Sequence, residues 1–275
     1  MAIKRVDEAL VERALADSIA HARLLVLEGK VYQGGGKVEK ASDRLKPALQ
    51  LSVRDAKAKF VSRGGLKLER ALEVFGIDAH DRVCVDVGAS TGGFTDALLQ
   101  AGARRVYAVD VGFGLLDWSL RRDPRVVVME KTNARALAPE MFDIRPSLGA
   151  TDVSFISLKA VLPPALSVLV GSGCPSGDDR RFVALGKPQF EAAREDVGAG
   201  GVVRDAAVHE KVLDNIVDFA LSLGWQAAGL DCSPITGAEG NIEFLLDLVP
   251  ARGLARPDVS GAVARAWAMH PQKKP

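Results

Sequence analysis

Apolar and polar residues follow one another along most of the chain in alternating strand-like and helix-like patterns. Short runs of aliphatic and β-branched residues, bounded by turn-forming or charged residues, predict seven strands. The predicted strands are 82–87, 105–111, 125–130, 148–153, 181–187, 225–232 and 242–249. Apolar residues at helical spacing lie between them, most clearly at 157–169 and 206–223. This succession predicts a doubly wound α/β fold, in which helices cover both faces of a parallel sheet.

A different pattern precedes these strands. Two short apolar stripes at helical spacing, Val6 to Leu15 and Ile19 to Leu27, are followed by a candidate hairpin around Gly34–Gly36. Residues 47–63 continue as a basic connecting segment with one short strand. This pattern predicts a small α+β domain, which is too short to be an independent enzyme and is typical of a binding module.

The chain therefore divides into three predicted parts. The small α+β domain and its linker occupy residues 1–60, and the α/β domain occupies residues 61–250, beginning with a helical face at Gly65 to Phe75. Residues 251–275 are rich in Pro, Ala and Arg. We expect them to form a C-terminal tail without fixed structure.

The loop after the first strand of the α/β domain, DVGASTGGF from Asp86 to Phe94, has the form of a nucleotide-binding turn. No Gly-Lys-Ser/Thr follows, so a triphosphate loop is excluded. A dinucleotide loop requires a second glycine where this sequence has Ser90. Asp110 ends the next strand, 22 residues after Gly88, where a carboxylate can bind both ribose hydroxyls of NAD or of S-adenosylmethionine. The loop favours S-adenosylmethionine, and NAD remains an alternative.

Composition restricts where the protein can act. Among 275 residues, no apolar run reaches the roughly 18 residues that span a membrane. The charged N-terminus lacks the apolar core of a signal peptide. The cysteines Cys84, Cys174 and Cys232 are widely separated, without metal-ligand spacing, which is typical of buried thiols in a reducing compartment. We expect a cytoplasmic protein that has no membrane partner and no metal.

Charge is distributed unevenly along the chain. Residues 1–63 contain 13 Lys and Arg against 8 Asp and Glu, a net charge of +5, whereas the remaining residues carry −4. A basic module joined to a mildly acidic domain indicates a polyanionic partner for the first of them. An ordinary solvated surface with this charge is the alternative interpretation.

Four charged residues are the candidate catalytic groups. Asp152 ends the fourth predicted strand, Lys187 ends the fifth, and Glu243 opens the last. Lys67 lies on the helix before the first strand. Taken singly, each could be a surface charge, a strand-end cap or an ion-pair partner. Because ligand sites in such folds lie at the carboxyl ends of the strands, we expect the four side chains to converge there.

Two lysines and two carboxylates suit the transfer of a methyl group to a sugar hydroxyl. A ribose 2′-hydroxyl is a weak nucleophile, and a lysine can take or orient its proton where burial and neighbouring positive charge favour the neutral amine. We assign Lys187 as the main base or orienting group and Lys67 as its partner. Asp152 and Glu243 organise the lysines, and Asp152 borders the methyl end of the cofactor.

Seven segments in the same order resemble the TlyA family of FtsJ-type ribosomal RNA 2′-O-methyltransferases, often labelled hemolysin A. They are VSRGGLKLERAL, DVGASTGGFTDALL, VYAVDVGFG, TDVSFISL, GKPQFE, GGVVRD and GAEGNIEFL. The resemblance implies a Rossmann-like seven-stranded methyltransferase domain, S-adenosylmethionine as donor, and cytidines of 16S and 23S ribosomal RNA as acceptors. It assigns the Lys-Asp-Lys-Glu tetrad to Lys67, Asp152, Lys187 and Glu243, and places Glu130, Thr132 and Asn133 beside the adenosine.

The loop and the resemblance together give a candidate cofactor site. Its predicted residues are Asp86, Gly88, Ser90, Thr91, Gly92, Gly93, Phe94, Asp110, Thr132, Asn133 and Asp152. Asp86 is expected either to bind the cofactor's amino group or to fix the loop. The segments Gly198 to Asp205 and Ser233 to Asn241 are expected to flank the acceptor site, with ordinary turns as the alternative.

The N-terminal segment resembles an S4 RNA-binding domain. Residues matching the S4 pattern R-x-D-x-x-L and the later Gly-x-Val are Arg5, Asp7, Leu10, Gly29 and Val31. It departs from the family where Ile19 replaces the usual arginine and where glycines replace Val-Asn-Gly in the hairpin. We therefore expect ribosomal RNA or a ribosomal subunit as the partner. The candidate RNA contacts are Arg5, Arg23, Lys30, Lys37, Lys40 and Arg63.

Two other functions remain open on the sequence. A pore-forming cytolysin, which the hemolysin label suggests, would need a membrane-inserting segment and would leave the cofactor loop unexplained. An RNA-binding protein with an inactive methyltransferase fold is the second alternative, and the presence of all four tetrad candidates disfavours it.

Overall fold

A computed structural model of the chain describes residues 4–27, 29–34, 36–44, 51–53, 59–171 and 178–271. The chain forms two compact units, Met1–Lys59 and Phe60–Pro275. The predicted boundary after residue 60 is one residue too late, because Phe60 is buried in a core of the second unit. Within the described ranges, no helix combines the length and apolarity needed to cross a membrane.

The first unit is a small α+β structure. Its elements are α1 (Val6–Glu12), α2 (Ile19–Leu27), β1 (Val31–Gln33), β2 (Gly36–Lys37) and β3 (Leu51–Val53). The strands form an antiparallel sheet in the order β2-β1-β3. The apolar stripes of both helices pack into one core with the sheet, around Leu10, Leu25 and Val31. The two helices and the glycine-containing hairpin lie where the sequence predicts them.

The second unit begins with α3 (Gly64–Val74) and alternates between strands and helices. Its strands are β4 (Val83–Val87), β5 (Arg105–Val109), β6 (Val126–Met129), β7 (Leu148–Thr151), β8 (Arg181–Gly186), β9 (Trp225–Cys232) and β10 (Phe244–Pro250). Its other helices are α4 (Gly93–Gln100), α5 (Trp118–Arg121), α6 (Leu158–Ser167), α7 (Pro188–Glu191), α8 (Ala206–Ser222) and α9 (Val259–Met269). All seven predicted strands are present, which confirms the α/β fold class.

The seven strands form one sheet in the order β6-β5-β4-β7-β8-β10-β9. Strands β4 to β8 are parallel to one another, whereas β10 is antiparallel to both β8 and β9. The sheet is therefore parallel over β4 to β8, as predicted, and antiparallel at the edge that β10 and β9 form. The connection between β9 and β10 is too short for the crossover that parallel strands need, so the two strands form a hairpin. The strand order reverses between β4 and β7, the position at which such sheets bind ligands.

Alternate side chains of the central strands enter two separate cores. Val83, Val85 and Val87 of β4 belong to the same hydrophobic core as residues of α6, α8 and α9 on one face. Cys84 packs with α3 and α4 on the other face, and burial raises the pKa of its thiol to about 12. Cys232 is also buried and unpaired, while Cys174 lies outside the described residues. Because both faces of β4 are covered, the strand is apolar at every position except Asp86.

The prediction of an unstructured C-terminal tail is wrong for residues 259–269, which form α9. Val259, Ala262, Val263 and Ala266 make an apolar stripe at helical spacing and are buried in the core beside α8. The carboxylate of Asp258 begins the helix by accepting a hydrogen bond from the Gly261 N–H at 2.9 Å. This segment therefore belongs to the core of the second unit.

Candidate active site

The loop after β4 is a tight turn at the strand-order reversal. Gly88 and Gly92 have φ angles of +86° and +99°, a backbone region that glycine adopts without steric cost. A Cβ at Gly88 would also lie 2.8 Å from Cγ1 of Val153, which follows β7. Glycine at position 88 is therefore required both by its backbone angle and by the close approach of the next loop.

Asp110, the residue after β5, holds this loop from the side. Its Oδ2 accepts a hydrogen bond from the Ser90 N–H at 2.8 Å, and its Oδ1 accepts one from the Gly112 N–H at 2.7 Å. Each carboxylate oxygen has a further lone pair. Asp110 also lines the cavity described below, so it can stabilise the loop and still accept hydrogen bonds from a ligand.

Asp86 lies beneath the loop, on β4, and is fully buried. Its Oδ2 accepts a hydrogen bond from the Thr95 hydroxyl at 2.7 Å, which ties the strand to α4. Burial raises the pKa of Asp86 to about 7, against the smaller opposing effect of the Thr95 hydrogen bond. Asp86 lines neither of the two cavities at this edge, and its geometry is that of a residue that fixes the loop.

A cavity of about 370 Å³ opens beside the ends of β4, β5 and β7. Six of the predicted cofactor residues line it, namely Gly88, Ser90, Asp110, Thr132, Asn133 and Asp152. Apolar side chains such as Val111 and Ile156 complete the wall. An apolar pocket with a few polar groups is typical of a nucleoside site. Asp110 suits ribose hydroxyls and Asp152 suits a positive sulfonium, so the residues fit S-adenosylmethionine.

A second cavity of about 290 Å³ adjoins the first. The two share Gly88, Ser90, Asp152 and Ser154 as lining residues. Thr91, Gly93 and Phe94 of the predicted cofactor set line this smaller cavity, whereas Gly92 lines neither. Lys67 and Lys187 also line it. A shared wall of this kind lets a donor in one cavity face an acceptor in the other.

The four predicted catalytic residues meet at this wall. Lys67 Nζ lies 3.3 Å from Asp152 Oδ2 and 2.6 Å from Glu243 Oε2. Lys187 Nζ lies 2.5 Å from Asp152 Oδ1 and donates a hydrogen bond to the Ser154 hydroxyl at 2.8 Å. Two lysines thus share one carboxylate, and the second carboxylate binds one of them. The two carboxylates thus hold both lysine Nζ atoms in one site, where positive charges on the two lysines would otherwise repel each other.

These four side chains come from four separate segments of the chain. Lys67 comes from α3, and it is buried together with Lys187 and Glu243. Asp152 and Lys187 each stand one residue past the end of a strand, and Glu243 stands one residue before β10, so the predicted strand limits are slightly too long there. Lys67, Asp152 and Lys187 line the smaller cavity, whereas Glu243 lines neither cavity and contacts the site through Lys67.

Sequence reasoning missed two polar residues of the smaller cavity. Ser154 accepts the hydrogen bond from Lys187, and Ser62 lines the same cavity. The position of Ser154, two residues after Asp152 in the same loop, is the signal that could have identified it. In the part of the chain that the structure describes, no group of three or more His, Cys, Asp or Glu residues could hold a metal ion.

The two segments expected to flank the acceptor site differ in their positions. Ile235, Thr236 and Gly237 line the smaller cavity, and the exposed Arg63 donates a hydrogen bond to the Thr236 carbonyl at 3.3 Å. Residues 198–205 line neither cavity. They are hydrogen-bonded to Asn241, at the end of the segment 233–241. The Asn241 side chain accepts a hydrogen bond from the Val203 N–H and donates one to the Gly201 carbonyl.

In the first unit, a buried carboxylate arranges two of the predicted RNA contacts. Asp7 binds Arg5 at 2.8 Å and Arg23 at 3.1 Å, and the hydrogen bond from Arg5 is the main cause that lowers the pKa of Asp7. Arg23 is exposed, and Arg5 is half-buried. Lys37 and Lys40 are exposed and Lys30 is half-buried. Arg63 belongs to the second unit.

Comparison with known proteins identifies the family. The model of the FtsJ-like methyltransferase family matches residues 60–248. The 16S/23S rRNA (cytidine-2′-O)-methyltransferase TlyA of Mycobacterium tuberculosis is 44% identical over 265 residues, which cover 95% of this chain and 96% of that protein. Hemolysin A of Brachyspira hyodysenteriae is 41% identical over 246 residues, 89% of this chain and 99% of that protein.

The solved structure of a protein from Streptococcus thermophilus that is named as a hemolysin is also similar to this chain. The similarity covers 98% of this chain and 97% of that one. The TM-score is 0.72 and the sequence identity 42%. The range that the family model matches includes the glycine loop, the strand ends and the positions of the four converging charged residues. The chain belongs to the FtsJ-like methyltransferases and, within them, to the TlyA family.

Proposed function

We propose that this protein transfers a methyl group from S-adenosylmethionine to the 2′-hydroxyl of cytidine in ribosomal RNA. The observation that carries the proposal is the convergence of Lys67, Asp152, Lys187 and Glu243, with ion-pair distances of 2.5 to 3.3 Å, beside the glycine loop. Methyl transfer to a hydroxyl requires an aligned nucleophile and an acceptor for its proton. A pair of lysines held by two carboxylates provides both.

The M. tuberculosis relative supports the choice of acceptor. Its name specifies cytidine in both 16S and 23S ribosomal RNA, and it matches 95% of this chain. We infer that this protein also modifies cytidines of both RNAs, and that ribosomal subunits are its partners in the cytoplasm.

The larger cavity is the proposed donor site. Asp110 would accept hydrogen bonds from the ribose hydroxyls of the donor, while Thr132 and Asn133 would lie beside its adenine. The backbone of the glycine loop would contact the methionine part. Bound there, S-adenosylmethionine supplies a methyl group activated by a positively charged sulfur, and Asp152 lies in the wall towards the smaller cavity.

The smaller cavity is the proposed site of the acceptor ribose. With its amine neutral, Lys187 would orient the 2′-hydroxyl there and accept its proton as the oxygen gains the methyl group, and the donor would keep the electron pair of the broken carbon–sulfur bond as a neutral thioether. Asp152 holds both lysines, and Glu243 fixes Lys67. Because the reacting groups must be aligned in line, this fixed geometry contributes a large share of the catalysis.

The first unit is the proposed RNA-binding module, of the S4 type. Its elements form a compact α+β unit with Arg5 and Arg23 held by Asp7. Arginines whose side chains are already ordered lose less entropy when they bind phosphate. Such contacts position a protein on RNA without reading its sequence.

Two alternatives are less well supported. A cytolysin would leave the paired lysines and the two adjoining cavities without a role. An RNA-binding protein with an inactive methyltransferase fold would not need four charged side chains, three of them buried, to meet at one edge of the sheet, because burying charge costs free energy.

The deciding experiment is methyl transfer from tritiated S-adenosylmethionine to 30S subunits, 50S subunits, 70S ribosomes and naked ribosomal RNA, followed by mapping of the modified nucleotide. We expect label at cytidine, with the adjacent phosphodiester resistant to alkali, since the 2′-oxygen is the nucleophile of alkaline cleavage. Label on a base, or transfer that persists undiminished in Lys187→Ala, would overturn the proposal.

A further inference from the structure

Two loops at the edge of the sheet that holds the tetrad are joined by contacts outside the tetrad itself. The first, called here the β7 loop, comprises residues 152–157 between β7 and α6. The second, called here the Lys187 turn, comprises residues 187–191 and includes α7. Lys187 joins them at one end, through Asp152 and Ser154.

Glu191 joins the same two loops at the other end. Its Oε2 accepts a hydrogen bond from the Ser157 hydroxyl at 2.6 Å, and its Oε1 accepts one from the Leu158 N–H at 2.6 Å. Leu158 is the first residue of α6, so the carboxylate also satisfies a backbone N–H that has no partner within that helix. Glu191 is half-buried and lines neither cavity of the site.

The β7 loop needs such support because its backbone is strained. Phe155 has a φ angle of +63°, a left-handed conformation that costs a bulky residue about 1–3 kcal/mol. Its side chain is 91% exposed, and its ring makes one aromatic contact, with Phe190 of the Lys187 turn at 5.2 Å between centroids. A strained residue persists only where its neighbours hold the backbone on both sides.

The Lys187 turn transmits the position of Glu191 to Lys187. The Phe190 N–H donates to the Lys187 carbonyl at 2.9 Å, and the Ala192 N–H donates to the Pro188 carbonyl at 2.8 Å. Pro188 further fixes its own φ angle. Lys187 and Glu191 are thus two ends of one short, hydrogen-bonded turn, and displacement of one end displaces the other.

We propose that Glu191 is a positioning residue for methyl transfer: through Ser157 and Leu158 it fixes the Lys187 turn against the β7 loop and so holds Nζ of Lys187 between Asp152 and Ser154. This inference rests on the proposed function. Glu191 acts here through its two hydrogen bonds and not through its charge, and this distinction makes the proposal testable.

The test compares Glu191→Ala, which removes both hydrogen bonds, with Glu191→Gln, which keeps an acceptor for the Leu158 N–H and a partner for the Ser157 hydroxyl. Glu195→Gln, at an exposed position a few residues away, is the matched control. Methyl transfer to ribosomal subunits gives kcat and KM, calorimetry gives the Kd of S-adenosylmethionine, and thermal unfolding reports stability.

We expect Glu191→Ala to lower kcat by about 100-fold, the usual consequence of moving a reacting group by about 1 Å. Kd and KM should stay within about threefold, as for an interaction made only in the transition state. Glu191→Gln should recover most of the lost kcat, and Glu195→Gln should match the wild type. If Glu191→Ala unfolds, Ser157→Ala replaces it, with an expected kcat loss of about tenfold.

Full kcat in Glu191→Ala would overturn the positioning role, and so would a Glu191→Gln protein as slow as Glu191→Ala, because the charge would then be the active property. A wild-type protein that transfers no methyl group to ribosomal RNA would overturn the proposed function instead. The two failures are therefore distinguishable.

Discussion

Lys67 and Lys187 share the carboxylate of Asp152, and this sharing determines how their substitutions should combine. We expect Lys67→Ala and Lys187→Ala each to abolish most methyl transfer, with S-adenosylmethionine affinity changed by less than about threefold. Residues that act as a unit have non-additive effects, so the double variant should be little slower than either single variant. Single-turnover methylation and calorimetry measure the two quantities. Losses that simply add would show that the lysines work independently.

Asp110 serves the loop and the proposed cofactor together. Asp110→Ala removes a carboxylate that accepts from Ser90 and Gly112 and that would also accept from ribose hydroxyls. We expect S-adenosylmethionine to bind about 1.5–3 kcal/mol more weakly, the usual value for charge-assisted hydrogen bonds. Calorimetry at fixed pH is the measurement, and an unchanged Kd would contradict the ribose role. Binding of NADH in place of S-adenosylmethionine would restore the dinucleotide interpretation.

Asp86 makes stability depend on pH. Its pKa rises from 3.8 to about 7 on folding, so between these values the folded protein holds a proton that the unfolded chain has lost. The contribution of Asp86 to stability is therefore present at acid pH and decreases as pH rises, by up to about 1.4 kcal/mol per pH unit. We expect Asp86→Asn to flatten this dependence.

Urea unfolding at pH 5 and pH 8 measures the effect. The asparagine variant should be more stable than the wild type at pH 8, because it places no charge in the buried strand and can still pair with the Thr95 hydroxyl. Parallel pH dependences in the two proteins would contradict the buried, protonated state of Asp86.

At the scale of elements, α9 is the segment whose helical structure and burial the sequence did not predict. Its stripe of Val259, Ala262, Val263 and Ala266 is at helical spacing, but its exposed face carries two further alanines, Ala264 and Ala268, and a stretch with Pro257 and two arginines precedes it. Trp267 adds a hydrogen bond from its Nε1 to the Nδ1 of His209 on α8, at 3.1 Å. Only the neighbouring α8 and β9 show that this weak stripe is buried.

A matched pair of substitutions tests the packing of α9. Val263 is buried, whereas the adjacent Ala264 is exposed. We expect Val263→Asp to lower the free energy of unfolding by more than about 3 kcal/mol, because it places an unpaired charge in the core. Ala264→Asp should change it by less than about 0.5 kcal/mol. Denaturant unfolding measures both, and equal stability of the two variants would show that α9 is not part of the core.

At the scale of the whole molecule, the two units should separate affinity from chemistry. Deleting residues 1–59, which leaves Phe60 in its core, should yield a folded domain that still binds S-adenosylmethionine, because the seven-stranded sheet and its helices remain complete. Methylation of ribosomal subunits should nevertheless collapse through lost RNA affinity. Cofactor binding and subunit methylation are measured side by side. Full activity on subunits would contradict the targeting role of the first unit.

The full chain and the variant without residues 1–59 should also differ in how their RNA affinity depends on salt concentration. Each phosphate contact should contribute a decrease of roughly 0.7–0.9 in log affinity per log unit of salt. The full chain should therefore lose RNA affinity more steeply with salt than the deletion variant. Arg23→Gln, which removes one exposed cation from the first unit, should reduce the slope by about one contact. Equal slopes in all three proteins would show that the first unit does not contact RNA phosphates.

The sequence by itself determined the succession of elements. Strand and helix periods, glycine at the turn after β4 and proline after Lys187 act within short segments, where local sterics and burial of one face decide the conformation. It also indicated the catalytic candidates Asp152, Lys187 and Glu243, because charged residues at strand ends are interpretable once the strands are known, whereas Lys67 lies on a helix. The six predicted RNA contacts remain a prediction, since nothing in the fold tests them.

Only the tertiary structure decided which of these groups meet. Lys67 and Asp152 are 85 positions apart in the chain, and their distance follows from how α3 packs on the sheet, not from any local pattern. The antiparallel edge, the burial of α9 and the hydrogen bonds of Glu191 have the same origin. Each is a contact between distant segments, whose free energy depends on the surfaces that packing brings together and not on the residues of either segment alone.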